Sequence, residues 1–191
     1  NRASCSFKYV KILEKENFKV TYLRPTKNGI INPSDVEKAI RKDTFLITIM
    51  YANNEIGTIQ PIEKIGRIAK KEGIIFHTDA CQAAGFCELN VKRLSVDLMS
   101  LNGSKIYGPR GIGCLYIKKN TPIKPLILGG GQESGLRSGT ENVPAICGFA
   151  YALESIQKKK DSECKKLVKI REYFIKQIEN KIPEAILVGD R

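Results

Sequence analysis

Residues 45–79 read FLITIMYANNEIGTIQPIEKIGRIAKKEGIIFHTD, and this stretch predicts a strand, a helix and a second strand in succession. The run Phe45–Tyr51 is almost continuously apolar, which is typical of a strand covered on both faces. Pro61 suits the first turn of a helix, and Gly73 suits the left-handed residue that ends one. Ile74–His77 is a second apolar run. Alternation of this kind favours a layered sheet with parallel strands.

The same alternation continues over the rest of the chain and predicts an α/β fold, with a mainly parallel sheet flanked by helices. Helices are predicted at Phe7–Lys15, Pro33–Arg41, Val143–Glu154 and Cys164–Glu179, and strands at Phe18–Leu23, Val96–Met99, Ile112–Ile117 and Ala185–Val188. A chain of 191 residues with this apolar content can bury a core. We also expect it to be a fragment of a longer protein, because it starts without methionine and stops just after a predicted strand.

The chain is strongly basic, with 32 Lys and Arg residues against 20 Asp and Glu residues and a formal net charge of +12. Such a charge could bind nucleic acid or another anionic surface, and the distribution of the charge along the chain decides whether it does. The lysines are dispersed over amphipathic segments such as Ile62–Glu72 and Ile156–Lys176, and they form a run only at Lys158–Lys160. This pattern indicates a solvated helix face rather than a docking patch for acidic partners, and we expect no direct contact with nucleic acid.

Neither a metal site nor a membrane span is expected from the sequence. The six cysteines include no C-x-x-C pair, and His77 is the single histidine, which leaves too few ligands for zinc. No apolar stretch approaches the roughly 20 residues that a spanning helix needs. We therefore expect a reducing, cytoplasmic setting. Small core residues rather than nucleophiles are expected at Cys81, Cys87, Cys114 and Cys147.

Polar side chains follow three of the predicted strands. Asn54 follows the first strand, Asp79 and Gln82 follow the second, and Asn102, Ser104 and Lys105 follow the strand predicted at Val96–Met99. Ligands in such sheets bind beyond the carboxyl ends of the strands. The sequence therefore predicts that amides, a carboxylate and an amine face one crevice. His77, inside the second strand, is interpreted as a residue packed near that crevice.

The chemistry of this set suits pyridoxal phosphate. Lys105 in a partly dry crevice can lose its proton at modest cost and form a Schiff base with the aldehyde. Asp79 can keep the pyridine nitrogen protonated, so that the ring accepts electrons when a bond at the substrate α-carbon breaks. Gln82 and Asn54 can hydrogen-bond the ring hydroxyl. Donors for the phosphate are predicted at Asn102, Ser104 and Thr140.

Two glycine clusters raise a nucleotide site as an alternative. Gly108, Gly111 and Gly113 have the spacing G-x-x-G-x-G and lead into a strand, whereas a dinucleotide fingerprint opens a helix. The cluster Gly129–Gly131 follows no suitable strand, and no G-K-[ST] sequence occurs for a phosphate-binding loop. The glycine pattern therefore does not favour a nucleotide enzyme.

Four motifs occur in the chain in a fixed order: YANNEIG at Tyr51–Gly57, HTDACQ at His77–Gln82, NGSKIYGP at Asn102–Pro109 and GGGQESGLRSGT at Gly129–Thr140. Together they resemble the cysteine desulfurases, which belong to the class V branch of pyridoxal-phosphate enzymes. The resemblance implies the large domain of a fold type I enzyme, a homodimer, and conversion of L-cysteine to L-alanine with the sulfur passed to a protein persulfide. It also implies a sulfur-acceptor or scaffold protein as partner, for iron–sulfur cluster assembly or tRNA thiolation.

The resemblance also assigns roles by position. It makes Lys105 the lysine that carries the cofactor, Asp79 the partner of the ring nitrogen, and Gln82 and Asn54 the ring contacts. Thr140 becomes a phosphate ligand that is offered to the other subunit.

The same resemblance divides the chain into two parts. Residues 1–145 would form a partial cofactor-binding large domain, and residues 146–191 would form linking helices and the start of a smaller α+β carboxyl-terminal domain. The family's nucleophilic cysteine and its substrate-binding arginine would lie beyond Arg191, so no cysteine of this chain is assigned the persulfide role. We therefore expect the chain alone to have little or no desulfurase turnover.

The chain departs from the family pattern at two places. Asn102–Lys105 reads Asn-Gly-Ser-Lys where the family usually has Ser-Gly-His-Lys. Counting back from Leu13 without gaps, the family's ring-stacking histidine falls on Ala3 and its preceding glutamate on Arg2. Either an incomplete chain causes the second departure or the stacking residue is lost. The alternatives are thus a selenocysteine lyase or another class V enzyme, and a catalytically inactive scaffold relative.

Overall fold

The computed structural model describes residues 3–191, and it describes side chains from residue 9 onward. The expected replacements of the stacking histidine by Ala3 and of its glutamate by Arg2 concern side chains that lie outside the described residues. Within that range the chain forms five α-helices and four β-strands. They are α1 (Ala3–Lys15), α2 (Pro33–Ala39), β1 (Leu46–Met50), α3 (Ile62–Lys71), β2 (Ile75–Asp79), α4 (Val91–Leu94), β3 (Leu98–Asn102), β4 (Gly113–Ile117) and α5 (Val143–Lys181).

The four strands form one sheet in the order β1-β2-β3-β4. The first three strands are parallel, with Met50 opposite Asp79 and Asp79 opposite Ser100. β4 returns antiparallel to β3, so that Gly113 lies opposite Asn102. The predicted mainly parallel sheet is confirmed, and the carboxyl ends of β1, β2 and β3 lie at the same edge.

The two faces of the sheet differ in character because alternate residues of a strand point to opposite faces. Ile47, Phe76 and Met99 are buried on one face, in a core that α3 covers with Ile62 and Ile65. The opposite face carries polar side chains at Thr48, His77 and Ser100. The register places Thr48 opposite His77, and the Ser100 hydroxyl reaches the His77 ring by a hydrogen bond of 2.9 Å. One face of the sheet therefore packs against helices. The other face carries polar side chains near the carboxyl ends of the strands.

The strand predicted at Phe18–Leu23 is absent from the structure. This segment has no ladder partner among the described residues, and side chains hold it in place instead. The guanidinium of Arg41 donates to the Lys19 carbonyl (3.0 Å) and to the Thr21 hydroxyl, and the ring of Phe18 lies 6.0 Å from that of Phe45. Apolar and polar residues do alternate in this segment, but a β-strand also needs a neighbouring strand to pair with.

The strand predicted at Ala185–Val188 is also absent, and the two helices predicted at Val143–Glu154 and Cys164–Glu179 are wrong as separate helices. Residues 185–188 find no pairing partner within residues 3–191. α5 runs without interruption from Val143 to Lys181, because the polar residues between the two predicted helices include neither glycine nor proline. Lys158 pairs with Glu154 one turn away (2.6 Å), and this contact supports the helix through the polar stretch.

The described residues contain neither a membrane-spanning helix nor a metal-binding cluster. None of the helices within residues 3–191 combines the length and the apolar character that crossing a bilayer requires. No group of three or more His, Cys, Asp or Glu side chains in that range is arranged to hold a metal ion.

Candidate active site

Lys105 lies in a short 3-10 turn, Gly103–Lys105, that directly follows β3. The Gly103 N–H donates to the Ile112 carbonyl (3.0 Å), and the Gly108 N–H donates to the Gly103 carbonyl (2.9 Å), so the segment folds back on itself. A Cβ atom at Gly103 would lie 2.8 Å from both the Ile112 side chain and the Pro109 carbonyl. Only glycine therefore permits the turn that presents Lys105.

Packing beneath the turn fixes it to the rest of the chain. Ile106 is fully buried and packs with Ala84, which follows β2, and with Phe149 of α5. The amide of Gln157 on α5 donates to the Ala84 carbonyl (2.6 Å). Lys105 itself is half-buried. Long-range apolar contacts thus hold the backbone of the lysine turn, while its side chain stays accessible.

An open cleft of about 580 Å³ lies at this turn. Most of its lining residues are glycines or carry a polar side chain, and the full set is Asn102, Ser104, Lys105, Arg110, Gly111, Ile112 and Gly113. Lys105 and Arg110 contribute two cationic side chains, and none of the described lining residues is acidic. The cleft therefore favours an anionic ligand.

Asn102 and Ser104 are hydrogen-bonded to each other within this cleft. The Oδ1 atom of Asn102 accepts from the Ser104 N–H (2.9 Å) and from the Ser104 hydroxyl (2.7 Å). The hydroxyl proton of Ser104 is thus used inside the protein, and the amide NH₂ of Asn102 is left as the donor. Asn102 is the last residue of β3 rather than a residue after the strand, and Ser104 follows β3 as predicted. The geometry of the pair favours Asn102 as the donor for an anion.

Asp79 is the last residue of β2 rather than the residue after it. Its Oδ1 atom accepts from the Cys81 N–H (3.0 Å), which starts the turn that carries Gln82. The Ala80 N–H donates to the Ser100 carbonyl of β3 (3.0 Å), so this turn begins directly beside the strand that leads to Lys105. Asp79 and Gln82 are both half-buried. The carboxylate and the lysine turn therefore follow neighbouring strands at one sheet edge.

Asn54 lies on the exposed loop that follows β1. The Asn53 side chain accepts from the N–H groups of Glu55 (2.8 Å) and Ile56 (3.2 Å), and the loop is closed by a bridge between Ala52 and Ile59. The structure thus places Asn54 at the same edge of the sheet as Asp79, on a structured loop.

Thr140 does not line the cleft. It is exposed in the segment before α5, between Gly139 with its left-handed backbone (φ +110°) and Asn142, whose side chain caps the helix. Of the predicted residues, Asn102, Ser104 and Lys105 thus meet in one cleft, Asp79, Gln82 and Asn54 lie on adjacent strand ends, and Thr140 is separate.

Arg110 lines the cleft and was not predicted from the sequence. It follows Pro109 in the segment between Lys105 and β4, and its sequence alone gives no sign that it faces the site. Its position depends on the antiparallel return of β4, which places Gly113 beside Asn102. A prediction that β4 pairs antiparallel with β3 would have placed Arg110 at the same edge of the sheet as Lys105.

The cysteine prediction is partly confirmed. Cys87 is buried, and burial raises the pKa of its thiol to about 11, which makes it a poor nucleophile. Cys81 is half-buried in the turn after Asp79. Cys114 and Cys147 are exposed, so the prediction that they are core residues is wrong. Cys114 is exposed because β4 is an edge strand, and Cys147 because it lies on an uncovered side of α5.

The sequence matches a known protein family over almost the whole chain. A family model described as aminotransferase class-V aligns with residues 3–190. The chain belongs to the aminotransferase class-V family. The class-V membership predicted from the four motifs is thereby confirmed.

Relatives of this class-V chain include named cysteine desulfurases. The cysteine desulfurase IscS of Dictyoglomus turgidum is 50% identical over 179 residues, which cover 94% of this chain and 45% of the relative. A solved NifS-like protein is similar with a TM-score of 0.87 at 42% identity, over 91% of this chain and 48% of the other. A structure described as SspA in complex with cysteine has a TM-score of 0.77 at 48% identity, over 79% and 44%.

The predicted α/β fold of a class-V enzyme is confirmed by these structures. The chain spans less than half the length of each of these three proteins. Each of them therefore contains residues that have no counterpart in this chain.

Proposed function

We propose that the intact gene product is a cysteine desulfurase, which uses pyridoxal phosphate to convert L-cysteine to L-alanine and passes the sulfur to a protein persulfide. One observation carries this proposal. Lys105 lines a cleft directly after β3, beside the strand that ends in Asp79, in a chain 50% identical to a cysteine desulfurase. The SspA relative is described in complex with cysteine, which supports L-cysteine as the substrate here.

The cleft fits pyridoxal phosphate in its chemistry. The cofactor combines an aldehyde, which reacts with an amine, and a phosphate, which needs cations and N–H donors. Lys105 supplies the amine, while Arg110 and the amide of Asn102 supply charge and a donor without any acidic lining residue among those described. The volume of about 580 Å³ falls within the usual range for small-molecule sites.

Each residue of the set has a distinct role in this proposal. When bound, the cofactor supplies an electron sink for bonds at the substrate α-carbon. Lys105 would bind the aldehyde carbon and later move a proton at the substrate α-carbon. Asp79 would hold a proton on the ring nitrogen, because an adjacent carboxylate favours the protonated pyridine. Gln82 and Asn54 would orient the ring through its hydroxyl.

The phosphate would be bound by residues from both subunits of a homodimer. Asn102 would donate its amide N–H, and Ser104 would contribute only after its hydroxyl releases Asn102. Thr140 is exposed and outside the cleft of its own chain, which supports its role as a ligand in the site of the other subunit.

The setting and the partners follow from the same proposal. Cys87, Cys114, Cys147 and Cys164 carry thiols that are not joined in disulfides, which supports a reducing, cytoplasmic compartment. The sulfur would pass to an acceptor or scaffold protein, for iron–sulfur cluster assembly or tRNA thiolation. We also propose that residues 1–145 belong to the cofactor-binding domain and that residues 146–191 lead to a smaller carboxyl-terminal domain.

A chemical tag tests the assignment of the lysine. The purified product of the intact gene is loaded with pyridoxal phosphate, reduced with borohydride and digested, and the modified peptide is identified by mass spectrometry. We expect the pyridoxyl tag on Lys105, because this amine lines the cleft. Lys105→Ala should abolish the visible absorbance of the loaded protein, whereas Lys119→Ala, an exposed lysine just after β4, should retain it.

Product analysis tests the reaction itself. Parent protein given L-cysteine and a thiol reductant should release alanine and sulfide in equal amounts, and Lys105→Ala should release neither. A tag on a different lysine contradicts the cofactor site. A pyridoxyl tag on Lys105 without release of alanine supports a catalytically inactive scaffold relative. A strong preference for selenocysteine over L-cysteine as substrate supports a selenocysteine lyase.

A further inference from the structure

His77 makes hydrogen bonds across three strands at the proposed site. Its Nδ1 atom lies 2.7 Å from the Thr48 hydroxyl on β1, and its Nε2 atom lies 2.9 Å from the Ser100 hydroxyl on β3. A neutral imidazole has one N–H donor and one acceptor, so it donates to one of these hydroxyls and accepts from the other. The ring therefore ties β1 and β3 to β2, the strand between them.

The position of this ring relates it to Asp79. His77 and Asp79 are two residues apart on β2, so their side chains lie on the same face of the sheet. Ser100, which bonds the ring, is also the residue of β3 that pairs with Asp79 in the register of the sheet. The imidazole thus fixes β3 against β2 at the level of the carboxylate.

The charge of this ring matters as much as its position. Burial lowers the pKa of the His77 imidazole, and the nearby Asp79 carboxylate offsets this only in part, so the neutral ring is favoured. A cation at this position would pair with the carboxylate and weaken its hold on a further proton. A neutral ring leaves the negative charge of Asp79 for a ligand.

We propose that His77 is a positioning residue for Asp79, a ring bonded to Thr48 and Ser100 that holds the carboxylate toward the ring nitrogen of the cofactor. This inference rests on the proposed function, since it concerns the same site. The functional consequence is that the protonation of the cofactor nitrogen depends on a residue that does not touch the cofactor.

Nitrogen NMR of the loaded protein tests this directly. The product of the intact gene is loaded with pyridoxal phosphate that carries an isotope label at the ring nitrogen, and the nitrogen shift is followed against pH. The variants are His77→Phe, which removes both bonds, His77→Gln, which can restore them, and Thr48→Val and Ser100→Ala, which each remove one. Ser162→Ala, on α5, removes a serine hydroxyl bond to the Lys159 carbonyl and is the matched control.

We expect the pH at which the ring nitrogen loses its proton to fall by about one unit in His77→Phe. Thr48→Val and Ser100→Ala should give smaller shifts in the same direction, His77→Gln should recover at least half, and Ser162→Ala should match the parent. Since His77→Phe could disturb folding, the two hydroxyl variants carry the test on their own.

Unchanged nitrogen titrations in Thr48→Val, Ser100→Ala and His77→Phe would overturn the proposal, even if their melting temperatures fall, because His77 would then serve only to join strands. Failure of the proposed function is seen separately in the parent sample. A parent that takes up no cofactor on Lys105 refutes that function and this inference together, before any variant is compared.

Discussion

Burial of His77 makes the stability of the fold sensitive to acid at one residue. The imidazole begins from an ordinary pKa of 6.5, and burial lowers it in the folded chain while Asp79 opposes the change. Below pH 6.5 the unfolded chain therefore takes up a proton that the folded chain resists. The contribution of the neutral ring to stability is present above that pH and is lost as the pH falls through the lower folded pKa.

His77→Gln should remove this acid-sensitive contribution, because glutamine does not titrate. Melting temperatures of parent and variant are measured by circular dichroism from about pH 8 to about pH 5. We expect the variant to melt below the parent at the alkaline end, because glutamine replaces the two bonds to Thr48 and Ser100 only in part. The gap should narrow toward acid pH. Parallel melting curves over the whole range would contradict this assignment.

At the scale of elements, the packing of α3 on α4 depends on one glycine. Gly66 is buried, and a Cβ atom there would lie 2.1 Å from the Leu94 carbonyl oxygen and 3.1 Å from that of Ser95. The obstacle is backbone rather than a flexible side chain, and Leu94 is itself buried at the end of α4. The two helices can therefore approach this closely only without a side chain at position 66.

Gly66→Ala should destabilise the protein by about 1–3 kcal/mol, the usual cost of overpacking a core. This loss should outweigh the gain of about 1 kcal/mol in helix propensity that alanine brings. Thermal melting measures the change, and Lys64→Ala on an exposed position of the same helix serves as the control, with an expected effect within about 0.5 kcal/mol. A Gly66→Ala protein as stable as the control would contradict the close approach.

The elements that could be predicted from sequence are those whose signals are local. The βαβ unit of residues 45–79 formed as predicted, because its apolar runs and Gly73, with a left-handed backbone (φ +67°), each act within a few residues. The predicted strands at Phe18–Leu23 and Ala185–Val188 failed because pairing depends on a distant neighbour. The sequence predicts two helices where the structure has the single α5, although helix formers continue through the polar stretch between them.

The site shows the same division between local and distant signals. Lys105, Asn102 and Ser104 could be placed together from their position after one strand, and the structure brings them to one cleft. Arg110 could not, because its approach depends on the antiparallel pairing of β4 with β3. The bonds of His77 also escaped prediction, since Thr48 and Ser100 are 29 and 23 residues away in sequence.

At the scale of the whole molecule, two highly exposed leucines lie in the same loop as a residue proposed to act across a dimer. Leu126 is 98% exposed and Leu128 is 81% exposed, in the loop that also carries Thr140. Neighbouring exposed leucines of this kind are typical of surfaces that bind another protein. Burying them against a second copy would bring the loop with Thr140 toward the partner's site.

The double variant Leu126→Lys with Leu128→Lys should therefore weaken dimerisation of the intact gene product. Fully burying one leucine contributes about 1.5–3 kcal/mol, so losing two should raise the dimer Kd about a hundredfold or more in analytical ultracentrifugation. Ile186→Lys, at a residue that is 86% exposed but outside the loop, should leave the Kd near that of the parent.

If Thr140 binds the partner's cofactor, the double variant should also bind pyridoxal phosphate more weakly at low protein concentration and recover this binding at high protein concentration. Equal weakening by both variants would mean that general surface charge, rather than this loop, controls association.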